Sequence, residues 1–363
     1  MGVEDQFVQQ TGRNLALRFM TECMIKVGTN KDHAAQLAEV LLAGDYRGHY
    51  SHGLNRLEMY MNDIDKNVCA RDGKPKILKE KGATAWVDGS NLLGPVVGNF
   101  CTDLAIKKAK DVGIGWVAAK GSNHFGIAGW YSLRCLEAGL LGMAFTNTSP
   151  IMYPTRGSQR VLGTNPVTLA APGTNGDSCV LDMATTTVAI GKVELAARKG
   201  EPIPSGWGRD KDGHESLDPT EVYPAGGLSP LGGSEITGGY KGYGLGMMVE
   251  IFCGILAGAH WGPNVRRWMT TDRDADLGQC FIAIDPEAFA PGFPERMQDL
   301  INTCRNVTPT DPSQPVLVPG DPEKAHMDEC DKLGGIPYHP KQIDFAVKLA
   351  EKWGVTPMKT LEK

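Results

Sequence analysis

The 363-residue chain contains no Cys-x-x-Cys pair, no Gly-x-Gly-x-x-Gly after a strand, no Walker loop, no His-Glu-x-x-His and no Gly-x-Ser-x-Gly elbow. A structural zinc site, an orthodox Rossmann dinucleotide site, a P-loop and a zincin are therefore poor starting points. No block of like charges is present, and 37 basic against 42 acidic side chains leave a net charge of −5. That balance excludes a broad electrostatic surface for nucleic acid or anionic lipid. Nine cysteines, an odd number scattered from Cys23 to Cys330, argue against a disulfide framework and for reduced thiols in a cytoplasmic setting. The opening MGVEDQFVQQ lacks the basic and apolar regions of a secretory leader, and Gln6 stands where an acylation signal wants Ser or Thr. The longest apolar stretch, 244–262, carries Glu250 and five glycines, which suits a buried core helix better than a membrane span.

What the chain has in excess is glycine, 45 residues, or about 12% against a usual share of roughly 7%. Without a repeat or a low-complexity tract, that excess signals many tight turns and close backbone approaches. The length suits two domains or one large one. Lys31 to Asp65 reads as helical, capped by Thr29 or Asn30 and broken at Gly48 and Gly53, with a second helix from about Ser51. After Pro75, β-rich runs (83–89, 114–119, 140–147, 166–172, 179–184) alternate with helical ones (98–113, 127–138, 188–199), the pattern of an α/β sheet. The Pro- and Gly-rich segment 201–240 reads as a surface excursion with no core of its own. Gly254, Gly258 and Gly262 recur every four residues and are expected to share one helix face. A strand (279–284), a helix (294–305) and two C-terminal helices (323–333, 340–353) complete the reading.

Four polar constellations stand out. In the run Arg47-Gly48-His49-Tyr50-Ser51-His52, followed by Arg56 and Tyr60, a helix from Ser51 would align His52, Arg56 and Tyr60 at i, i+4 and i+8. That stripe offers a proton carrier, a cation for a carboxylate and a phenol. It is equally compatible with a solvated face capped by Ser51. His49 and His52 lack a third ligand, so a metal pair is rejected. Ser122-Asn123-His124-Phe125-Gly126 follows a strand, where ligands gather in α/β sheets, though Ser122 and Asn123 also suit helix caps. Asp182 to Thr187 leaves a strand and enters a helix, a place for an anion or for simple capping. Lys241 is embedded in glycines before a helix, suited to a phosphate or, more plainly, to a flexible turn with an exposed lysine. Asp210, Asp212 and Gly213 lack the offsets of a calcium loop and read as a turn.

The stretches DYRGHYSHGLNRL, GATAWVDGSNLLGPVVGN, GIGWVAAKGSNHFGIAGWYS, FTNTSP, VLGTNPV, VLDMATTTVAIGK, AARKGEPIP, LGGSEITGGYKGYGL and PGDPE run in order from about residue 45 to 323. Together they resemble the malate/L-lactate dehydrogenase family of the L-sulfolactate dehydrogenase type. The resemblance implies a non-Rossmann fold, with a central α/β cofactor domain (79–254) beside a helical domain built from both chain ends (1–78 and 255–363). It implies reversible hydride transfer between a nicotinamide cofactor, NAD or alternatively NADP, and a 2-hydroxy or 2-oxo acid, in a homodimer without a metal. The family's proton-transfer histidines fall on His52 and His124, either of which takes the acid/base role in different members. Its substrate side falls on Ser51, Arg56, Tyr60 and Thr148. Its cofactor segments fall on Asp182, Met183, Ala184, Thr185, Thr186, Thr187 and Val188, on Tyr240 and Lys241, and on Gly320, Asp321 and Pro322. Malate leads as substrate, ahead of lactate, sulfolactate, ureidoglycolate or a cyclic imine; relatives acting on ureidoglycolate read Ser-Asp at Thr148-Ser149. A binding protein that keeps the fold without catalysis is the alternative from another class.

Overall fold

The β-rich runs after Pro75 assemble into one seven-stranded sheet in the computed structural model, which describes residues 9–360. The leader and acylation readings rest on residues 1–8 and lie outside the described residues. Across the sheet the strands run Lys76–Lys81, Thr84–Asp88, Ile114–Ser122, Leu277–Ile284, Leu141–Thr146, Val167–Pro172 and Ser178–Met183. Thr84–Asp88 and Ile114–Ser122 are parallel, joined by the crossover helix Gly94–Val112. Every other neighbouring pair is antiparallel, so the α/β fold is a mixed sheet. Pro95 opens the crossover helix and Gly113, in the left-handed region, ends it.

The range 255–363, assigned to the helical domain but read with a strand at 279–284, contributes the central strand of the sheet. Leu277–Ile284 is buried at seven of its eight positions, as a strand covered on both faces must be. The two chain ends do meet. Gln9–Thr11 pairs antiparallel with Ile336–Tyr338, and Lys352 Nζ lies 2.8 Å from Glu58 Oε1. Helices Arg13–Lys26, Lys31–Tyr46 and Pro340–Trp353 share one continuous hydrophobic core with the crossover helix and the sheet.

Four further expectations are corrected. Segment 201–240 has a core after all: short strands Gly208–Arg209, Glu215–Ser216 and Gly227–Leu228 and the turn of helix Pro219–Val222 surround Val188, Ile190, Val193, Ile203, Val222 and Leu228. Its apolar residues are spaced too irregularly to show a period. Within it, Asp210 Oδ1 accepts from the N–H groups of Asp212 and His214, both at 2.9 Å, an ordinary turn. The apolar stretch begins earlier than expected, as helix Gly239–Glu250, loosens into a π turn at Ile251–Ile255 and stops where Gly258 takes φ +68°. Gly254, Gly258 and Gly262 therefore share no helix face. Nor is the helix buried all round, because Tyr240, Met247, Ile251, Ile255 and Leu256 are exposed. Among the described residues no helix is long and apolar enough to cross a membrane, and the nine cysteines are unpaired.

Candidate active site

Helix Lys31–Tyr46, capped by Asn30 Oδ1 accepting from Asp32 N–H at 2.8 Å, delivers the buried Asp45 near its end. Asp45 Oδ2 accepts from Leu54 N–H at 2.9 Å and from Tyr338 O–H at 2.8 Å. These bonds draw residues 50–56 into two 3₁₀ turns, Tyr50–His52 and Leu54–Arg56, and the α-helix starts only at Leu57. Gly53 is required between the turns, because a Cβ there would lie 1.8 Å from Asp45 Oδ1. The expected helix from Ser51 is thus corrected, and His52 does not share a helical stripe with Arg56 and Tyr60. The side chains converge all the same, His52 and Tyr60 on the ring of His124 and Arg56 on Trp268 beside it.

His124 arrives from the sheet. Strand Ile114–Ser122 ends at Ser122, whose Oγ donates to Gln279 Oε1 at 2.8 Å, while Gln279 Nε2 donates to Asn123 O at 2.9 Å. Asn123 Nδ2 donates to Asn91 Oδ1 at 3.0 Å and to Leu92 O at 2.9 Å. The crossover helix presses on this loop so closely that a Cβ on Gly94 would stand 2.2 Å from His124 O. Ser122 and Asn123 thus brace the histidine loop against neighbouring strands and turns.

The two loops meet at the imidazoles. The rings of His52 and His124 stack with centroids 5.8 Å apart and planes 18° from parallel. Tyr60 Oη lies 2.5 Å from His124 Nδ1, Ser51 Oγ lies 2.8 Å from His52 Nδ1, and Arg56 Nε donates to Ser51 O at 2.8 Å. Burial, with Arg56 and His49 adding repulsion, takes the His52 imidazole down to about 3. Burial, then His52 and Arg56, holds His124 well below the ordinary 6.5. Both imidazoles are therefore neutral at pH 7. Burial also raises the Tyr60 phenol, which keeps its proton. Arg56 is 8% exposed, and its terminal Nη2 is 4.0 Å from Glu194 Oε2. Trp268 completes the cluster unforeseen: Arg56 Cζ lies 5.3 Å from its ring centroid, and its ring centroid is 5.6 Å from that of His124. No period or motif marks Trp268, which stands alone in a polar run; only its large apolar surface among arginines hints at a role.

Most of the remaining expected residues are tied to neighbouring backbone or side chains. Thr148 is held within the chain, its N–H donating to Asn165 Oδ1 at 3.1 Å and its Oγ1 accepting from Thr164 N–H at 2.9 Å. Asp182 Oδ2 accepts from Gly129 N–H at 2.8 Å, and burial raises its carboxyl. The hydroxyls expected to greet an anion are committed to carbonyls: Thr185 to Thr164 and Asn165, Thr186 to Val188, Thr187 to Gly206 and Pro230. The run nonetheless leads to the site, because Met183, Ala184 and Val188 carry the chain from the sheet to helix Ile190–Lys199, where Gly191 packs near Ser51 and Arg56 Nη2. The turn at Gly320, Asp321 and Pro322 opens helix Asp321–Leu333, with Gly320 at φ +101° over Val180. Asp321 is clamped by Arg305 at 2.6 and 3.0 Å, so its carboxylate fixes the turn. Next to it Glu323 Oε1 lies 3.3 Å from His49 Nε2.

Two cations, Arg47 and Lys241, enter no ion pair among the described residues. Arg47 is sheltered beside Glu323 and Asp182, its Nη1 donates to Met327 Sδ at 3.5 Å, and burial lowers its pKa. Lys241, in the first turn of helix Gly239–Glu250 behind Tyr240, is exposed and enters no ion pair among the described residues. A sheltered guanidinium and a free ammonium suit phosphates. A separate hollow of about 400 Å³, lined by Asp88, Lys120, His260, Asp274 and Asp276 among others, shares no residue with the histidine cluster. Among the described residues no group of three His, Cys, Asp or Glu could hold a metal ion.

Residues 13–345 match the malate/L-lactate dehydrogenase family. The chain is 39% identical over 357 residues to a malate dehydrogenase of Pyrococcus abyssi, covering 98% of each. It is 32% identical to a ureidoglycolate dehydrogenase (NAD(+)) of Escherichia coli O157:H7, over 82% of this chain and 83% of that one. The sulfolactate dehydrogenase structure of Methanocaldococcus jannaschii superposes with a TM-score of 0.87 at 32% identity, covering 98% of this chain and 100% of the other. A mixed α/β sheet with paired histidines, a phenol and a buried arginine beyond the end of an inner strand, together with these dehydrogenase relatives, defines a 2-hydroxyacid dehydrogenase. The chain belongs to the malate/L-lactate dehydrogenase family.

Proposed function

We propose that the protein interconverts a small 2-hydroxy acid and its 2-oxo acid with NAD, or alternatively NADP, and that malate and oxaloacetate are the leading pair. The observation that carries the reading is the Tyr60–His124 contact at 2.5 Å, stacked against His52 and set beside the buried Arg56. Removing hydride from a hydroxyl carbon needs a base on the hydroxyl proton and a fixed carboxylate. Arg56 spends Nε on Ser51 O, which leaves its two terminal nitrogens to grip the substrate's 1-carboxylate in fork geometry. Glu194, 4.0 Å away, is far enough to yield that place.

The Tyr60–His124 pair has two tautomers. With Nδ1–H donating to the phenol oxygen, Nε2 is bare and takes a proton from the hydroxyl; with the phenol donating to Nδ1, Nε2–H donates to an oxo oxygen. The stacked His52, steadied by Ser51, is the second candidate for the same role. When bound, the nicotinamide dinucleotide supplies the carbon that accepts or gives the hydride. Lys241 and Arg47 would hold its phosphates, with the chain at Asp182–Val188, Tyr240 and the Gly320–Pro322 turn alongside.

Malate is placed ahead of lactate because the similar Pyrococcus abyssi protein is a malate dehydrogenase. The exposed apolar face at Ile251, Ile255 and Leu256 supports the expected homodimer. Purified protein mixed with each reduced cofactor and a panel of 2-oxo acids is the test. Oxidation of the cofactor with oxaloacetate at the highest kcat/KM is expected. No oxidation with any member of the panel would favour a catalytically idle binding protein instead.

A further inference from the structure

Trp268 belongs to no element that the sequence brings near the histidines, yet the chain invests heavily in placing it. Its loop is pinned by Arg266, whose Nη2 meets Asp63 Oδ2 at 2.8 Å with both side chains buried. Arg266 Nη1 donates to Arg273 O at 3.3 Å, closing the loop on itself. Ser149 Oγ donates to Arg266 O at 2.8 Å, which ties the loop to the Thr148–Ser149 segment. Between these anchors the indole packs on the main core on one side. On the other it covers Arg56 and His124, at 5.3 and 5.6 Å between centres.

Such an indole can do two things. Its π face attracts the Arg56 guanidinium and holds it in one orientation. Its bulk, backed by the core and carried on a loop that Asp63 and Ser149 anchor at Arg266, occupies space beside the carboxylate-binding cation and the proton carrier. A substrate held by Arg56 and His124 must direct its remaining substituent past this wall, and a packed wall rejects added volume.

We infer that Trp268 is a specificity-determining residue that limits the C3 substituent of the 2-oxo acid to about the size of a carboxylate. This inference rests on the 2-oxo acid reading above. It is tested by kcat/KM for oxaloacetate, pyruvate, 4-methyl-2-oxopentanoate and phenylpyruvate in wild type, Trp268→Ala, Trp268→Leu and Trp268→Phe, with melting curves to verify folding.

Trp268→Ala is expected to raise the ratio of kcat/KM for phenylpyruvate over oxaloacetate by about 10-fold or more, within the range that one or two methylenes command in a pocket. Trp268→Leu is expected to raise it about threefold or more, so the inference stays exposed if the alanine protein does not fold. Trp268→Phe, which keeps a ring over Arg56, is expected to restore the ratio to within about threefold of wild type. Ratios within twofold of wild type in the folded Ala or Leu protein would overturn the inference while leaving the reaction assignment intact. A wild-type protein active on no 2-oxo acid would overturn both.

Discussion

At the scale of residues, the account rests on neutral imidazoles next to a buried guanidinium. His124→Ala is expected to lower kcat by about 10²–10⁴-fold, the usual worth of a positioned proton carrier, and His52→Ala to lose turnover as well. Cofactor affinity, followed by quenching of protein fluorescence, is expected to stay near wild type in both. Near-normal turnover in both variants would remove the histidines from the chemistry. Arg56→Ala is expected to raise KM for the organic acid about 10- to 100-fold, because a charged hydrogen bond is worth about 1.5–3 kcal/mol; an unchanged KM would end its role as the carboxylate grip. Because burial keeps the base form of His124 available below its ordinary value, kcat/KM for hydroxy-acid oxidation is expected to hold level from alkaline pH down through 6.5 and to fall only in more acid solution. Ser51, His52, Arg56, Tyr60 and His124 were legible in the sequence because their side-chain chemistry is rare in combination. Trp268 was not, since an indole carries no chemical signature of its own and stands 144 residues beyond its ring neighbour at His124. The threonines at 185–187 were equally visible by their chemistry, but that their hydroxyls donate to backbone carbonyls was not, since those partners come from distant loops and a neighbouring turn.

At the scale of elements, the turn carrying Ser51 and His52 depends on Asp45. Burial pushes this carboxyl from 3.8 up to about 7, against the opposing bonds from Leu54 N–H and Tyr338 O–H. Since the folded value lies above the unfolded one, the protonated group's contribution is fully present below the unfolded value and is lost as pH rises through about 7. Asp45→Asn keeps an acceptor for Leu54 and Tyr338 without the charge. Its melting temperature relative to wild type is expected to climb between pH 5 and pH 8, and a difference flat in pH would contradict a protonated Asp45. Gly53→Ala places a methyl into the Asp45 carboxylate and is expected to cost about 1–3 kcal/mol together with much of the activity. Helix and strand positions were largely readable from period and caps, as at Asn30 and Gly113. The 3₁₀ turns at 50–56 were not, because the bond that shapes them comes from Asp45 and from Tyr338 at the far end of the chain. Local propensity favoured a continuous helix, and tertiary hydrogen bonds overrode it.

At the scale of the whole molecule, the α/β class and the meeting of the chain ends were visible in the order of elements. The place of Leu277–Ile284 at the centre of the sheet was not, since strand order is decided by which faces can be buried and leaves no mark in the local pattern. A dinucleotide bound across elements as distant as Arg47, Lys241 and the Gly320 turn is expected to stabilise the entire fold, by about 2.7 kcal/mol at a hundred times its Kd. Lys241→Ala is expected to need more cofactor for the same rise in melting temperature, and an identical dose response would exclude Lys241 from the site. The most direct test of the central claim is the steady-state reduction of oxaloacetate by NADH or NADPH in wild type and His124→Ala, with cofactor binding measured on the same preparations. Turnover in wild type that is lost in His124→Ala while cofactor still binds is the expected result. Equal turnover in the two proteins, or none in wild type, would contradict it.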